Sequence, residues 1–352
     1  MIETMSKTEK TSRMLAEASE TPRIVARQLE RNADAVAALA ERLRATPPRF
    51  VATGARGSSD HAATFAKYLI ETRLGLVTAS AAPSVATIYG RTLAMEGALF
   101  IAISQSGRSP DLIAMTERAK EGGALTVALV NDAESPLAAA CDTVLPLHAG
   151  AETSVAATKS YIASLSALLH LTAAWTGDEE LGQALGELPG RLEEALELDW
   201  SPMVDTLADA RDLLILGRGA NLAIAQEAAL KLKETCGLHS EAFSTAEVMH
   251  GPVALVGQDY PVVVFSPEDE TRASVRELAA KIRAQGGRVL IAESEGATED
   301  AAGRLPVPRP LHPACDSLPM ILAFYRAAAS LSVRRGLDPD EPRHLRKVTE
   351  TR

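Results

Sequence analysis

LFIAISQSGRSPD, residues Leu99 to Asp111, puts a strand, a turn and a helix start into one short stretch. The apolar run Leu99 to Ile103 predicts a short buried strand. It stops abruptly at Ser104-Gln105-Ser106-Gly107. Ser109-Pro110-Asp111 then predicts a helix, with a hydroxyl at the N-cap, proline at the first helical position and an acid in the first turn. Such a junction converges backbone N–H groups on an anion, and the helix dipole adds to the attraction. Ser104, Ser106 and Ser109 contribute hydroxyls and Gln105 an amide, while Arg108 is the loop's only cation. That set suits one phosphate ester held by neutral donors better than a triphosphate with its metal. Small polar residues are also ordinary turn formers, so the loop alone does not decide the matter.

Working outward, strands and helices alternate on both sides of this stretch. Residues 1–48 read as a helical lead-in, with Thr21-Pro22 opening the main helix and Pro47-Pro48 ending it. The expected series then runs strand RFVAT, glycine-rich turn GARGSSD, helix His61 to Thr72, strand GLVTAS, a helix, and the central strand and loop. Helix Leu112 to Lys120, strands LTVALV and TVLPL, a polar loop AGAETSVAATKS and an apolar helix to about Trp175 complete residues 49–177. Residues 178–210 read as a helical connector. The order then repeats over 211–336: strand DLLILG, turn RGAN, helix Leu222 to Cys236, strand PVVVF, helix Ser274 to Gln285, strand RVLIA, a short strand near Leu305 and helix Leu318 to Arg334. Residues 337–352 form a tail expected over the active site. The fold class is therefore α/β, with two tandem doubly wound domains and ligands at the carboxyl ends of the strands. The second copy has Ser266-Pro267-Glu268-Asp269 where the first has its serine loop, so carboxylates stand in the place of the phosphate. One phosphate cradle per chain is expected, in the first half.

Composition narrows the function classes. The 352 residues are 46% hydrophobic and 23% charged, with a net charge of −10 and no Lys/Arg cluster, which argues against nucleic acid. The apolar stretch Tyr161 to Trp175 is broken by Ser, His and Thr and is too short to span a bilayer, so no membrane association is expected. The charged start lacks a secretory h-region. Cys141, Cys236 and Cys315 are lone cysteines without metal-ligand spacing. Together these features predict a cytoplasmic protein without a metal site.

The second half holds the titratable groups. Glu227, Lys231 and Glu234 share one face of the helix AQEAALKLKETCG. Taken alone, that helix reads as a solvated stripe of paired charges. Further on, EVMHGP places His250 before Gly-Pro, so the ring is expected to project from a loop. Carboxylates and an imidazole beside a phosphate cradle are suited to moving protons on a sugar.

These pieces resemble the SIS (sugar isomerase) family, in particular the isomerase half of glutamine–fructose-6-phosphate aminotransferase and its stand-alone relatives. The matching segments are MLAEASETP, ARGSSDHA, ISQSGRSPD, AETSVAATKS, ALKLKET, HSEAF, EVMHGPVAL and DEPRHLRKVTE, in order across nearly the whole chain. The resemblance implies a hexose 6-phosphate substrate held by Ser104, Gln105, Ser106 and Ser109, with Ser59 nearby and Val155 closing the pocket. It implies that Glu234 moves a proton between C1 and C2, and that Lys231 and Glu227 orient the acid and the sugar hydroxyls. His250 would open the ring in a neighbouring subunit's site, which implies a homodimer. Lys347 matches a lysine that reaches the substrate carbonyl as an imine, so it would either help electrostatically or exchange in as a Schiff base, and Glu241 and Glu247 match family positions without an evident role. No metal or other cofactor is implied.

Two departures bear on the reaction. Ile2 follows Met1 and residues 1–48 leave no room for a glutaminase domain, so ammonia is expected as free substrate or product. Met249 stands where the synthase favours lysine, which points to a stand-alone deaminase converting glucosamine 6-phosphate to fructose 6-phosphate and ammonia. The rival readings are a synthase-type transferase without its glutaminase, ketose–aldose isomerisation alone, galactosamine 6-phosphate deamination, fructosamine 6-phosphate deglycation and a non-catalytic sugar-phosphate sensor.

Overall fold

The computed structural model describes residues 12–294 and 303–347; the outermost parts of the expected lead-in (1–11) and tail (348–352) lie outside them. Strands β1 (Phe50–Gly54), β2 (Thr78–Ser80), β3 (Ala98–Ser104), β4 (Leu125–Val130) and β5 (Thr143–Pro146) form a parallel sheet in the order β2-β1-β3-β4-β5. Strands β6 (Asp212–Gly217), β7 (His239–Ser244), β8 (Pro261–Phe265), β9 (Arg288–Glu293) and β10 (Arg304–Pro306) form a second, ordered β10-β9-β8-β6-β7. Read from the β7 edge, the second order repeats the first. The duplication expected from the sequence is therefore a duplication of topology.

The helices are α1 (Arg13–Ser19), α2 (Thr21–Ala45), α3 (Ser58–Leu74), α4 (Pro83–Thr87), α5 (Pro110–Glu121), α6 (Pro136–Ala140), α7 (Lys159–Thr176), α8 (Glu179–Leu196), α9 (Ser201–Leu207), α10 (Asn221–Cys236), α11 (Arg272–Ala284) and α12 (Ser317–Arg334). The apolar stretch before Trp175 is α7, buried on nearly every face. It packs against α2, α3 and α8, so its hydrophobicity reflects a position between layers. No helix among the described residues is long and apolar enough to cross a membrane. One apolar cluster runs through both halves, from Val51 and Leu99 to Ile224 and Phe324, and α3 packs directly on α10.

Two elements differ from expectation. His239 to Phe243 belongs to the edge strand β7, because Ser240 is buried against α10 while His239 and Glu241 face outward. A half-exposed edge strand carries too few apolar residues to show in the pattern. Helix α3 begins at Ser58, earlier than His61, which brings Ser58 and Ser59 into its first turn. Both α3 and α5 then start where β1 and β3 end, at the point where the strand order reverses.

Candidate active site

An open cleft of about 350 Å³ lies at that reversal point. One wall is the Ser104–Ser109 loop, where Ser104 is the last β3 residue paired with β4. Gly107 turns the chain with φ +64°, and a Cβ there would stand 2.1 Å from Ser135 Oγ, so both conformation and space demand glycine. Ser104 Oγ accepts from the Gly107 N–H at 3.0 Å and Ser106 Oγ accepts from the Arg108 N–H at 3.3 Å. Each hydroxyl thereby uses a lone pair and keeps its hydrogen to donate. Ser109 occupies the N-cap position of α5, but its side chain makes no capping bond. Helix α3 likewise starts without a side-chain cap, at Gly57, and Ser58 and Ser59 line the cleft. Two helix N-termini and several hydroxyls thus surround one space, an arrangement that favours an anion.

Of the arginines in the two turns, the one that lines the cleft is not the one in the serine loop. Arg108 pairs with Asp132 at 2.8 Å and lies outside the cleft lining. Arg56, from the glycine turn after β1, lines the cleft instead and is oriented by buried Asp111 at 2.9 Å. Nothing in GARGSSD distinguished Arg56 from an ordinary surface residue.

The opposite wall comes from α10, and here the reading of a solvated charge stripe is overturned. Side-chain exposure is 0% at Glu227, 1% at Lys231 and 20% at Glu234, a gradient running from the core into the cleft. The stripe is buried because α3 and α12 cover it. Glu227 accepts hydrogen bonds from Ser58 Oγ (3.1 Å) and Tyr325 OH (3.0 Å), with His61 Nδ1 at 2.9 Å and Lys231 Nζ at 3.5 Å. Lys231 also pairs with Glu234. Burial alone would push the Lys231 ammonium down, but Glu227 and Glu234 outweigh it and hold its pKa above the usual lysine value. Burial, with Glu227 beside it, drives the Tyr325 phenol well above its ordinary range, so it stays a donor. Glu227 itself does not line the cleft; it orients Lys231 from beneath.

The third wall is the loop before α7, through Val155 and Ala157, together with the tail residues Leu345, Arg346 and Lys347. Lys347 Nζ reaches Glu152 Oε2 at 3.2 Å and the Ser154 carbonyl at 2.8 Å. Fully buried Glu152 also accepts from Ser160 Oγ (2.7 Å) and from the N–H groups of Thr158 (3.0 Å) and Ser160 (3.2 Å). Asp340 ties the same tail to α1 by accepting from the N–H groups of Arg13 (2.8 Å) and Met14 (2.7 Å). Sequence reasoning missed Glu152, since its role depends on a lysine far along the chain. His250 ends a short 3-10 turn, Glu247–His250; it is exposed and stands outside the cleft of its own chain.

Glu152 gives the tail a pH dependence. Burial would raise its carboxyl, but Lys347 and the Ser160 and Thr158 hydrogen bonds outweigh burial and lower the pKa below the ordinary 4.5. The stability contributed by ionised Glu152 is complete above pH 4.5 and is lost as pH falls through the lower folded value. Backbone amide protection factors at residues 338–347, taken against the intrinsic exchange rate at each pH, are therefore expected to fall on acidification below pH 4.5. In Glu152→Gln, protection there should be low already at neutral pH and flat across that window. A tail equally protected in the variant would show that Lys347 is held by something else.

The serine loop, the buried acid–lysine pair and the tail all sit on one duplicated α/β frame. The chain belongs to the SIS domain family, whose model matches residues 48–174 and 206–331. It is 35% identical to glutamine–fructose-6-phosphate aminotransferase [isomerizing] of Pseudomonas aeruginosa over 95% of this chain, and it spans only 58% of that relative's length. Among solved structures, a "putative phosphosugar isomerase" from Silicibacter pomeroyi DSS-3 shares 44% identity with a TM-score of 0.87, covering 94% of this chain and all of that one. The C-terminal domain of glucosamine-fructose-6-phosphate aminotransferase from Francisella tularensis follows at 26% identity and a TM-score of 0.85, covering 96% of this chain and all of that domain.

Proposed function

We propose that the chain is an amino-sugar-phosphate deaminase/isomerase converting glucosamine 6-phosphate and water to fructose 6-phosphate and ammonia. The observation that carries this reading is that the Ser104–Ser109 loop and the Lys231–Glu234 pair face each other across one cleft. The names of the relatives, which concern hexose phosphates and aminotransfer, support the same chemistry.

In this reading the phosphate sits against Ser104, Gln105, Ser106, Ser109 and Ser59, with Arg56 adding charge. Fixing that end positions C1 and C2 beside Glu234. His250 of the partner subunit opens the pyranose, which requires a homodimer. Glu234 takes the C2 proton and returns a proton to C1 through an enolamine, leaving an imine at C2. Water adds to C2, the C2–N bond breaks, and ammonia leaves with the ketose formed. Lys231, kept charged by its two carboxylates, holds Glu234 in place. Lys347, held at the edge of the cleft by Glu152 and the Ser154 carbonyl, donates a hydrogen bond to the substrate oxygen.

Purified protein incubated with glucosamine 6-phosphate is expected to release ammonia and fructose 6-phosphate in equal amounts. Fructose 6-phosphate production without ammonia, or no turnover of any hexosamine 6-phosphate, would overturn the assignment. Preference for the galactosamine epimer would move the substrate and leave the chemistry in place.

A further inference from the structure

The segment MLAEASETP, Met14 to Pro22, has no task in the chemistry above, yet one of its side chains reaches the wall of the cleft. Glu17 lies on α1, is only 7% exposed, and meets the loop that carries Val155. Its Oε1 accepts from the Thr153 N–H and, at 2.9 Å, from Thr153 Oγ1, and its Oε2 accepts from the Ser154 N–H at 3.2 Å. The following N–H, that of Val155, donates to the Asp340 carbonyl at 3.3 Å. Within the same peptide the Ser154 carbonyl accepts from Lys347 Nζ at 2.8 Å. The Ser154–Val155 peptide thus makes two of the contacts that hold the tail over the cleft. Asp340 closes the circuit, since its carboxylate accepts from the Arg13 and Met14 N–H groups that open α1. Three segments far apart in sequence form one ring of hydrogen bonds, and Val155 and Lys347 are the members of it that line the cleft.

We propose that Glu17 is a positioning residue for the reaction: it fixes the Thr153–Val155 backbone and, through the Ser154 carbonyl, sets where Lys347 stands. The inference rests on the proposed function, in which Lys347 donates to the substrate oxygen. Residues 152–158 have no helix or strand of their own, so their N–H groups depend on outside acceptors. A carboxylate that takes two successive N–H groups and a hydroxyl is a stronger and more directional acceptor than water. Without it the peptide is free to turn, and its carbonyl moves away from Lys347. Glu152 still pairs with the ammonium, so Lys347 stays nearby but loses one of its two fixed acceptors. The serine loop belongs to the opposite wall and makes none of these contacts, so phosphate binding is spared.

Glu17→Ala is expected to lower kcat for glucosamine 6-phosphate by roughly 10- to 100-fold with KM nearly unchanged, the pattern of a reacting group displaced by about 1 Å. Glu17→Gln keeps one oxygen for Thr153 and should restore most of that loss. In a Lys347→Ala background, Glu17→Ala should cost nothing further, because its effect passes through Lys347. Amide protection at residues 340–347 should also fall in Glu17→Ala, with or without sugar. Losses that multiply in the double variant, a defect confined to KM, or full activity in Glu17→Ala would each overturn the inference and leave the proposed function standing. If Glu17→Ala does not fold, Asp340→Ala opens the same ring from its other side, and it should show the same loss of kcat and the same silence in the Lys347→Ala background. Multiplying losses there would equally overturn the inference. A wild-type protein that turns over no hexosamine 6-phosphate would overturn the proposed function; a tail still fully protected in Glu17→Ala would then overturn the inference as well, and a loosened one would uphold the placement of Lys347 by Glu17.

Discussion

Lys231→Met is expected to destabilise the protein by about 3–5 kcal/mol, the usual cost of removing one partner from a buried ion pair. The ammonium is 1% exposed and lies between a carboxylate with no exposure and one at 20%. Methionine fills similar space but leaves Glu227 inside the protein without its counter-charge. Hydrogen bonds from Ser58 and Tyr325, and His61 at 2.9 Å, soften the loss without replacing the charge. Chemical denaturation of the variant measures this directly. Adding Glu227→Gln to Lys231→Met removes the stranded carboxylate and should recover much of the stability, because residues in one network do not act additively. A double variant no more stable than Lys231→Met would place the defect in packing.

The second expected result separates chemistry from stability. Glu234→Gln should lower kcat by ~10²–10⁴, the span typical of losing a positioned general base, with KM and thermal stability nearly unchanged. Glutamine has the same shape and keeps an oxygen for Lys231, yet it cannot take a proton from carbon. Glu234 is also the most exposed of the three charges on α10, so its replacement strands nothing in the core. Retention of full activity would mean that another group moves the proton.

What could be read from the sequence follows from which interactions are local. The strand-loop-helix junction at Leu99–Asp111 is encoded by neighbours in the chain, and it formed as expected. The duplicated order of elements was visible for the same reason. The state of α10 was not legible, because charges spaced by three and four look alike on a solvated helix and on a covered one. The difference is made by Ser58, His61 and Tyr325, which come from α3 and α12. Arg56 and Glu152 were missed on the same grounds, since each acquires its role through Asp111 or Lys347, distant in sequence. His250 was expected outside a core face, and it stands exposed.

The contacts around Glu227 also bear on how such a chain can be inherited. Its carboxylate belongs to one copy of the duplicated unit, while Ser58 and His61 belong to the other. A recombination breakpoint in the linking helices between the copies would look harmless by topology, yet it would separate an acid from polar groups that hold it in place. Chimeras assembled from distant relatives should therefore fold only when both parents supply compatible residues at these positions. The two copies are bound to be exchanged together.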